Sequence, residues 1–168
     1  MRDRHGGVPY VAIDCSAVTN PAGPPLAIGL IFQRWADTVS RYPELDARTA
    51  REAWAKEIGL LPSEVLFGNG PDALIMQVLL ALKPSGITVV DPCYSEYWSF
   101  AETFGVPLRR LSAKLLGDAW RTPPEALELG HGEALILASP GNPTGHMTSV
   151  ELITEAAEAH PDSFYIID

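Results

Sequence analysis

The sequence predicts an α/β fold with a mostly parallel sheet. From residue 64 onward, short apolar segments alternate with longer amphipathic segments, and turn residues separate them. The short segments are apolar throughout, which is typical of strands that are buried on both faces. Strands that alternate with helices form a parallel sheet with helices packed on its faces. With 168 residues, 46% of them hydrophobic, the chain is long and apolar enough to bury a core.

Two helices are predicted before the alternating region. Pro24 and Pro25 precede an amphipathic segment that predicts a helix over 26–40, because proline suits the first turn of a helix. A second helix is predicted over about 46–58, with Asp46 as its N-cap and Gly59 as its C-terminal stop.

The alternating region from residue 64 onward contains the remaining predicted strands and helices. Thr148 and Glu151 are expected to form a capping box for the last helix, and Gly105 is expected to end an earlier one. The arginines Arg34, Arg41, Arg109 and Arg110 are expected to be surface charges. The predicted strands cover 64–67, 87–90, about 107–111, 133–138 and 163–167. The predicted helices cover 71–83, 94–104, 123–128 and 149–160.

Composition excludes several classes of protein. The formal net charge of −9 argues against a nucleic-acid groove and against a polybasic membrane surface. No apolar run is long enough to cross a bilayer, and the first residues lack the apolar segment of a signal peptide, so we expect a cytoplasmic protein. Cys15 and Cys93 share no spacing typical of a disulfide framework or a metal site, and we expect two buried thiols.

Four loops are predicted to meet at one edge of the sheet. In an open parallel sheet, ligands bind where the strands have their carboxyl ends, because loops and helix N-termini converge there. The segments that follow the predicted strands at this edge are Gly68–Asp72, Asp91–Tyr94, Ser139–Gly145 and Asp168.

Each of these segments offers one kind of contact to a ligand. Gly68–Asp72 allows a sharp turn before a helix whose N-terminus can hold a phosphate. Tyr94 offers an aromatic face for stacking, and Asn142 lies among prolines and glycines that can fix the direction of its amide. Asp168 ends an apolar strand, where a carboxylate needs a cation or a donor. Together these contacts describe pyridoxal 5′-phosphate (PLP).

These motifs resemble those of fold-type-I PLP-dependent enzymes, specifically the branch of histidinol-phosphate aminotransferase and threonine-phosphate decarboxylase. The resemblance covers nearly the whole chain. The most specific match is Asn142-Pro143-Thr144-Gly145, which is similar to the family's NPTG signature and precedes a strand that ends in Asp168. Further matches are Asp14-Cys15-Ser16, the stretch 20–25, Arg41-Tyr42-Pro43, the loop 68–72 and the segment 92–97.

The resemblance implies a three-layer fold of the PLP-dependent transferase type and a role for each matching residue. Gly70, Pro71 and Asp72 would surround the phosphate. Tyr94 would stack on the pyridine ring, Asn142 would bond its 3′ oxygen and Asp168 would pair with its nitrogen. Asn20 and Gly23 would lie near the substrate. Tyr42 would reach the cofactor of the neighbouring subunit, because the resemblance implies a homodimer with shared sites.

The resemblance also implies a domain arrangement and an activity. Residues 1–45 would form an N-terminal arm and helix that contribute to the small domain and to dimer contacts, and residues 46–168 would form the first part of the large PLP-binding domain. The enzyme would act on an amino acid or an amino-acid phosphate through an external aldimine. Lys56, Lys83 and Lys114 do not occupy the family's Schiff-base lysine context, so no catalytic residue is assigned within this chain.

Three other hypotheses remain open from the sequence. A PLP-dependent decarboxylase or lyase of the same fold would use the same cradle. A domain that binds a dinucleotide of the NAD type would use Gly68, Gly70 and Ala73 on the phosphates and Asp91 about 20 residues later. A scaffold that keeps the fold without chemistry would bind neither cofactor.

Overall fold

The structure, a computed structural model, describes residues 20–168 except the side chain of Thr38. These residues divide between Phe67 and Gly68 into two compact units. The match predicted over Asp14-Cys15-Ser16 lies outside the described residues, as does Cys15 of the thiol prediction.

The first unit contains three helices: α1 (Leu26–Gln33), α2 (Trp35–Val39) and α3 (Arg48–Ile58). The single helix predicted over 26–40 is therefore interrupted. At Arg34 the backbone leaves the helical region, with φ −110° and ψ 19°. The N–H of Arg34 bonds to the carbonyl of Ile31, three residues back, which tightens the last turn of α1 and ends it.

Asp46 is not the N-cap of α3, which corrects the sequence prediction. The residue before the helix is Ala47, in the left-handed region with φ 50°, and it makes no capping side-chain bond. Glu44 instead supplies the acceptor for a free N–H of the first turn. Its carboxylate accepts the backbone N–H of Thr49 at 2.8 Å and the hydroxyl of Thr49 at 2.6 Å. The prediction that Gly59 ends this helix is confirmed, with φ 73°.

The strand predicted over 64–67 does not form, and a single 3-10 turn covers Pro62–Glu64. Val65 is extended, with φ −116° and ψ 130°, but residues 65–67 pair with no strand within 20–168. An apolar sequence with extended geometry becomes a strand only when a neighbouring strand accepts its backbone hydrogen bonds.

The second unit is built on a parallel sheet of four strands: β1 (Gly86–Asp91), β2 (Leu108–Ser112), β5 (Glu133–Leu137) and β6 (Phe164–Ile167). Their order across the sheet is β2-β1-β5-β6. Val89 in β1 lies opposite Arg110 of β2 on one side and Ile136 of β5 on the other. The chain moves outward from β1 to β2 and then returns to the opposite side of β1, so the strand order reverses between β1 and β5.

Helical elements cover both faces of this sheet, in three layers. One buried cluster joins Ile87, Val89 and Ile136 of the sheet to residues of α4 (Gly70–Leu82) and α5 (Glu96–Phe104). The other joins Val90, Leu135 and Leu137 to the 3-10 turn Pro124–Ala126, with Ile153 of α6 (Val150–Ala159) packed against it. The predicted α/β class with a parallel sheet is confirmed. No helix within residues 20–168 is both long and apolar enough to cross a membrane.

A two-stranded hairpin, β3 (Lys114–Leu116) and β4 (Ala119–Arg121), was not predicted. Its turn is Gly117-Asp118, and Gly117 has φ 62°. A glycine followed by aspartate between two short segments is a hairpin signal that the sequence carried. The segments are only three residues long, which is too short for a visible alternation.

Arg109 is not a simple surface charge, contrary to the sequence prediction. Its Nε donates to the hydroxyl of buried Thr88 at 3.0 Å, and its two terminal nitrogens donate to the carbonyls of Glu125 and Glu128 at 3.1 and 2.8 Å. The guanidinium therefore ties the edge strand β2 to β1 and to the segment around the 3-10 turn.

The predicted capping box on Thr148 is also wrong. Ser149 is the N-cap of α6, and its hydroxyl accepts the N–H of Leu152 at 3.2 Å. Thr148 is buried, and its hydroxyl is bonded to that of Thr122 at 2.7 Å. Because Thr148 is held by these contacts, the next residue takes the capping position.

Candidate functional site

A cavity of about 290 Å³ lies where strands of the second unit end. The six cofactor-contacting residues predicted within this unit all line it. Its lining consists of Asn69, Gly70, Pro71, Asp72, Tyr94, Asn142 and Asp168. Four segments that are distant in the sequence therefore meet at one place, as the parallel-sheet argument predicted.

The topology of the sheet explains this position. A crevice opens at the carboxyl edge of a parallel sheet where the strand order reverses, because the two following loops leave in opposite directions. Here the reversal lies between β1 and β5. Tyr94 follows β1, and Asn142 follows β5. Asp168 follows the adjacent strand β6, and its backbone N–H bonds to the carbonyl of Leu137 at 3.0 Å.

The N-terminus of α4 provides backbone donors to this cavity. Gly70 adopts φ 84°, and its own N–H is directed to the carbonyl of Gly68 at 3.0 Å. Pro71 has no N–H. The N–H of Asp72 makes no hydrogen bond to a backbone carbonyl within residues 20–168. This donor and the positive end of a 13-residue helix favour an anion at this end of the cavity.

Tyr94 is held in place by two contacts. Its hydroxyl donates to Oδ2 of Asp72 at 3.2 Å, and its ring meets the ring of Tyr97 edge-on with centroids 5.7 Å apart. Burial, followed by the nearby Asp72 carboxylate, raises the pKa of the Tyr94 phenol, so Tyr94 stays protonated and acts as the donor. The other oxygen of Asp72, Oδ1, is buried without a hydrogen-bond partner within the described part of the chain.

Tyr97 is a site residue to which the sequence analysis gave no role. Its side chain is fully buried, and its hydroxyl donates to Oδ2 of Asp168. Burial and this carboxylate raise the pKa of the Tyr97 phenol far above its usual value. The signal available in the sequence was the three-residue spacing from Tyr94, because in a helix over 94–104 the two rings would lie on one side.

Asp168 carries no ion pair with a lysine, an arginine or a histidine of residues 20–168. A carboxylate at the edge of a cavity, with one oxygen held by a phenol, can accept a further donor with its other oxygen. Asn142 is exposed at the same cavity, and its amide makes no hydrogen bond to the described residues. Both side chains are therefore available to a ligand.

Three predicted residues belong to the first unit. Asn20 and Gly23 form a turn, in which the side-chain oxygen of Asn20 accepts the N–H of Ala22 at 3.0 Å and Gly23 has φ 76°. Tyr42 is fully exposed. Their predicted roles toward the substrate and the neighbouring subunit remain predictions.

Asp91, the acid of the dinucleotide hypothesis, is already engaged. One oxygen accepts the Nε of Arg110 at 2.7 Å, and the other accepts the indole N–H of Trp98 at 3.1 Å and faces the Cys93 thiol at 3.4 Å. The guanidinium of Arg110 also stacks on Trp98, 4.1 Å from the ring centroid. In addition, no strand forms between residues 20 and 67, although a dinucleotide fingerprint requires one directly before its glycine loop.

The chemistry of the lining fits PLP. Backbone donors at α4 suit a phosphate, the Tyr94 ring suits an aromatic ring, and the unpaired Asp168 carboxylate suits a ring cation. The buried Oδ1 of Asp72 has no hydrogen-bond partner among the described residues. A buried oxygen without a donor is unfavourable, so this end of the cavity favours polar contents over apolar packing. The lining contains no lysine, arginine or histidine. The charge of a phosphate would therefore rest on the helix N-terminus.

Comparison with protein families gives one family match. The model for aminotransferase class I and II matches residues 32–168. Threonine-phosphate decarboxylase from Salmonella typhimurium is 30% identical over 152 residues, which is 89% of this chain and 42% of that protein. Histidinol-phosphate aminotransferase from Rubrobacter xylanophilus is 33% identical over 133 residues, or 76% of this chain and 37% of that protein. The chain thus spans about two fifths of these relatives.

Solved structures show the same fold. N-succinyldiaminopimelate aminotransferase from Mycobacterium tuberculosis aligns with a TM-score of 0.74 and 26% identity over 87% of this chain and 42% of its own. Histidinol-phosphate aminotransferase from Sinorhizobium meliloti, solved in complex with PLP, aligns with a TM-score of 0.74 and 20% identity over 88% of this chain and 41% of its own.

Proposed function

The chain belongs to the class I and II aminotransferase family, and we propose that it forms the PLP site of an aminotransferase. One observation carries this proposal. Six residues that were assigned to PLP from sequence motifs, on four separate segments, line a single cavity at the switch point of the sheet. A scaffold without chemistry has no need to bring these residue types together.

Each residue has a defined task in the proposed site. The free N–H of Asp72 and the positive N-terminus of α4 bind the phosphate, while Tyr94 lies against the ring. Asn142 donates its amide to the 3′ oxygen and orients the ring. Asp168 accepts a hydrogen bond from the protonated pyridine nitrogen, and the hydroxyl of Tyr97 fixes this carboxylate in place.

When bound, PLP withdraws electrons from the Cα of an attached amino acid. The contribution of the chain is to keep the pyridine nitrogen protonated, because the negative charge of Asp168 lies beside it. The contact between Tyr94 and Asp72 keeps the aromatic face in position. Lys56, Lys83 and Lys114 are absent from the cavity lining, so none of them is proposed to attach the cofactor.

The substrate is proposed to be an amino acid or an amino-acid phosphate. The two relatives described above are named for phosphorylated substrates. Because one of them is named a decarboxylase and matches 89% of this chain, decarboxylation is the second candidate reaction. Both reactions use the same cofactor contacts, so the cavity supports both equally.

The active assembly is proposed to be a homodimer with shared sites. Tyr42, which is fully exposed in this chain, would contact the cofactor phosphate of the neighbouring subunit. Asn20 and Gly23 would contact the substrate through the turn at 20–23.

Binding of pyridoxamine 5′-phosphate to the chain tests the cofactor site. This form of the cofactor has no aldehyde and cannot attach to surface lysines, so calorimetry reports only the cavity. We expect saturable binding that Asp168→Asn weakens about tenfold or more, because the ring cation loses its charge partner. Asp162→Asn is the matched control, since its side chain is exposed in the turn before β6.

Equal affinity in the two variants would reject the assignment of Asp168. Absence of any binding, with the fold intact by circular dichroism, would reject the cofactor site and favour the scaffold hypothesis. Binding of NADH in preference to pyridoxamine 5′-phosphate would favour the dinucleotide hypothesis.

A further inference from the structure

His146 lies at the centre of a chain of side-chain hydrogen bonds next to the loop that carries Asn142. Its Nδ1 contacts the hydroxyl of Thr144 at 3.0 Å, and its Nε2 contacts the hydroxyl of Thr122 at 3.0 Å. The hydroxyl of Thr122 also forms a hydrogen bond with the hydroxyl of buried Thr148 at 2.7 Å. Thr148 donates its backbone N–H to the hydroxyl of Ser139 at 3.1 Å, so both ends of the loop are joined.

The backbone of the same loop closes around this ring. The N–H of Gly141 donates to the carbonyl of His146 at 2.8 Å, and the N–H of Gly145 donates to the carbonyl of Gly141 at 2.6 Å. A Cβ placed on Gly141 would lie 3.0 Å from Nδ1 of His146 and would collide with Oγ1 of Thr144. The imidazole is therefore packed directly against the residue that precedes Asn142.

The neutral form of the ring is suited to this bridge. Burial, and to a smaller extent the charge of Arg121, lowers the pKa of His146 below its ordinary value. A neutral imidazole has one donor and one acceptor nitrogen, and the hydroxyls of Thr144 and Thr122 can serve either of them. Thr122 follows β4, so the ring ties the Asn142 loop to the end of the hairpin.

His146 does not line the cavity formed by Tyr94, Asn142 and Asp168, so its contacts lie behind the loop rather than in the cavity. Asn142 itself makes no hydrogen bond that would fix its amide within the described residues. The orientation of this amide therefore depends on the backbone at 141–145, and that backbone is held by the imidazole and its two threonines.

We propose that His146 is a positioning residue that holds Asn142 in the orientation needed to contact the 3′ oxygen of PLP. This proposal rests on the proposed function for its ligand. The structural part, that His146 orders the backbone that carries Asn142, is independent of any ligand.

The first test is a double-mutant cycle read by binding of pyridoxamine 5′-phosphate. We expect His146→Phe to raise the Kd about tenfold, because the amide loses its fixed direction. In an Asn142→Ala background the same substitution should change the Kd less than about twofold, since its effect acts through Asn142. His146→Asn, which keeps a polar atom near the Nδ1 position, should recover part of the affinity. The matched control is His131→Phe, at an exposed histidine outside the cavity lining.

The second test needs no cofactor. The chain has three asparagines, so the backbone N–H of Asn142 can be assigned in a nitrogen-15 spectrum of asparagine-labelled protein from its absence in Asn142→Ala. We expect an order parameter of about 0.8 for this backbone amide in the unsubstituted chain and below about 0.6 in His146→Phe.

The outcomes separate the two proposals. An unchanged amide order parameter in His146→Phe overturns the positioning role, and so does an equal loss of affinity in the two backgrounds of the cycle. If the unsubstituted chain fails to bind pyridoxamine 5′-phosphate, the proposed function is rejected, and the amide measurement still decides the role of His146. A thermal melt of each variant separates loss of order in the loop from loss of the fold.

Discussion

The buried phenol of Tyr97 donates a hydrogen bond to the carboxylate of Asp168, although 71 residues separate them in the chain. Helix α5 therefore fixes a side chain at the end of β6. The same phenol ring supports Tyr94 edge-on, so one buried residue positions both the aromatic face and the carboxylate of the proposed site.

Replacing this phenol by phenylalanine tests its role directly. We expect Tyr97→Phe to weaken binding of pyridoxamine 5′-phosphate about threefold to tenfold, because Asp168 loses the donor that orients it. Tyr165→Phe is the matched control, since it removes a phenol that donates to the carbonyl of Leu127 at 2.8 Å. Tyr165 packs with the other face of the sheet and should leave the affinity unchanged. Equal losses in both variants would show a general effect of removing a phenol.

The thiol of Cys93 is expected to react slowly with alkylating reagents. Burial, and then the charge of Asp91, raises the pKa of Cys93 to about 12. At pH 8 only roughly one thiol in ten thousand would be the reactive thiolate. In a Cys15→Ser chain, labelling by iodoacetamide should be far slower in buffer than in urea, and Asp91→Asn should accelerate it in buffer. Similar rates in buffer and in urea would contradict this prediction.

Arg109 is expected to contribute to the stability of the edge strand. Arg109→Met removes three hydrogen bonds, including the one to the buried hydroxyl of Thr88, and should lower the free energy of unfolding by about 2 kcal/mol. Lys114→Met is the control, because it removes only an exposed ion pair with Glu125 at 3.4 Å and should cost less than about 1 kcal/mol. Urea unfolding followed by circular dichroism measures both, and equal midpoints would refute the role of Arg109.

The stability of the chain is expected to depend on pH partly through His146. Its pKa in the folded chain is lowered from 6.5, so the unfolded chain binds more protons once the pH approaches that value. This contribution is present at pH 7, is lost as the pH falls through about 6.5, and is gone below the lowered pKa. His146→Phe should therefore show a smaller loss of urea midpoint between pH 7 and pH 5 than the unsubstituted chain. A parallel decline in the unsubstituted chain and in His146→Phe would argue against His146.

Much of the fold could be predicted because its signals are local. Gly59 and Gly105 end helices by adopting a left-handed conformation that glycine tolerates, and the uniformly apolar segments around Val89 and Ile136 became central strands. The cavity could be predicted as well, because the carboxyl ends of parallel strands necessarily share one edge.

Several of the errors originate in contacts between residues that are distant in the sequence. Residues 65–67 have the apolar composition of a strand, and Val65 is extended, but pairing requires a neighbour that no local pattern supplies. Thr148 has the spacing of a capping residue but bonds to Thr122, 26 positions earlier in the chain. Arg109 and Tyr97 acquired their roles from partners 21 and 71 positions away in the sequence. Their residue types alone carry no information about those partners.

The cavity is assembled from the start of α4 and from the ends of β1, β5 and β6, so it does not exist in the unfolded chain. A ligand that binds only the folded chain stabilises it by mass action, by about 2.7 kcal/mol at a hundredfold excess over its Kd. Proteases act on the fraction of molecules that is open, and this fraction would fall by about a hundredfold under the same conditions. The supply of cofactor would then control how long the polypeptide survives in the cell.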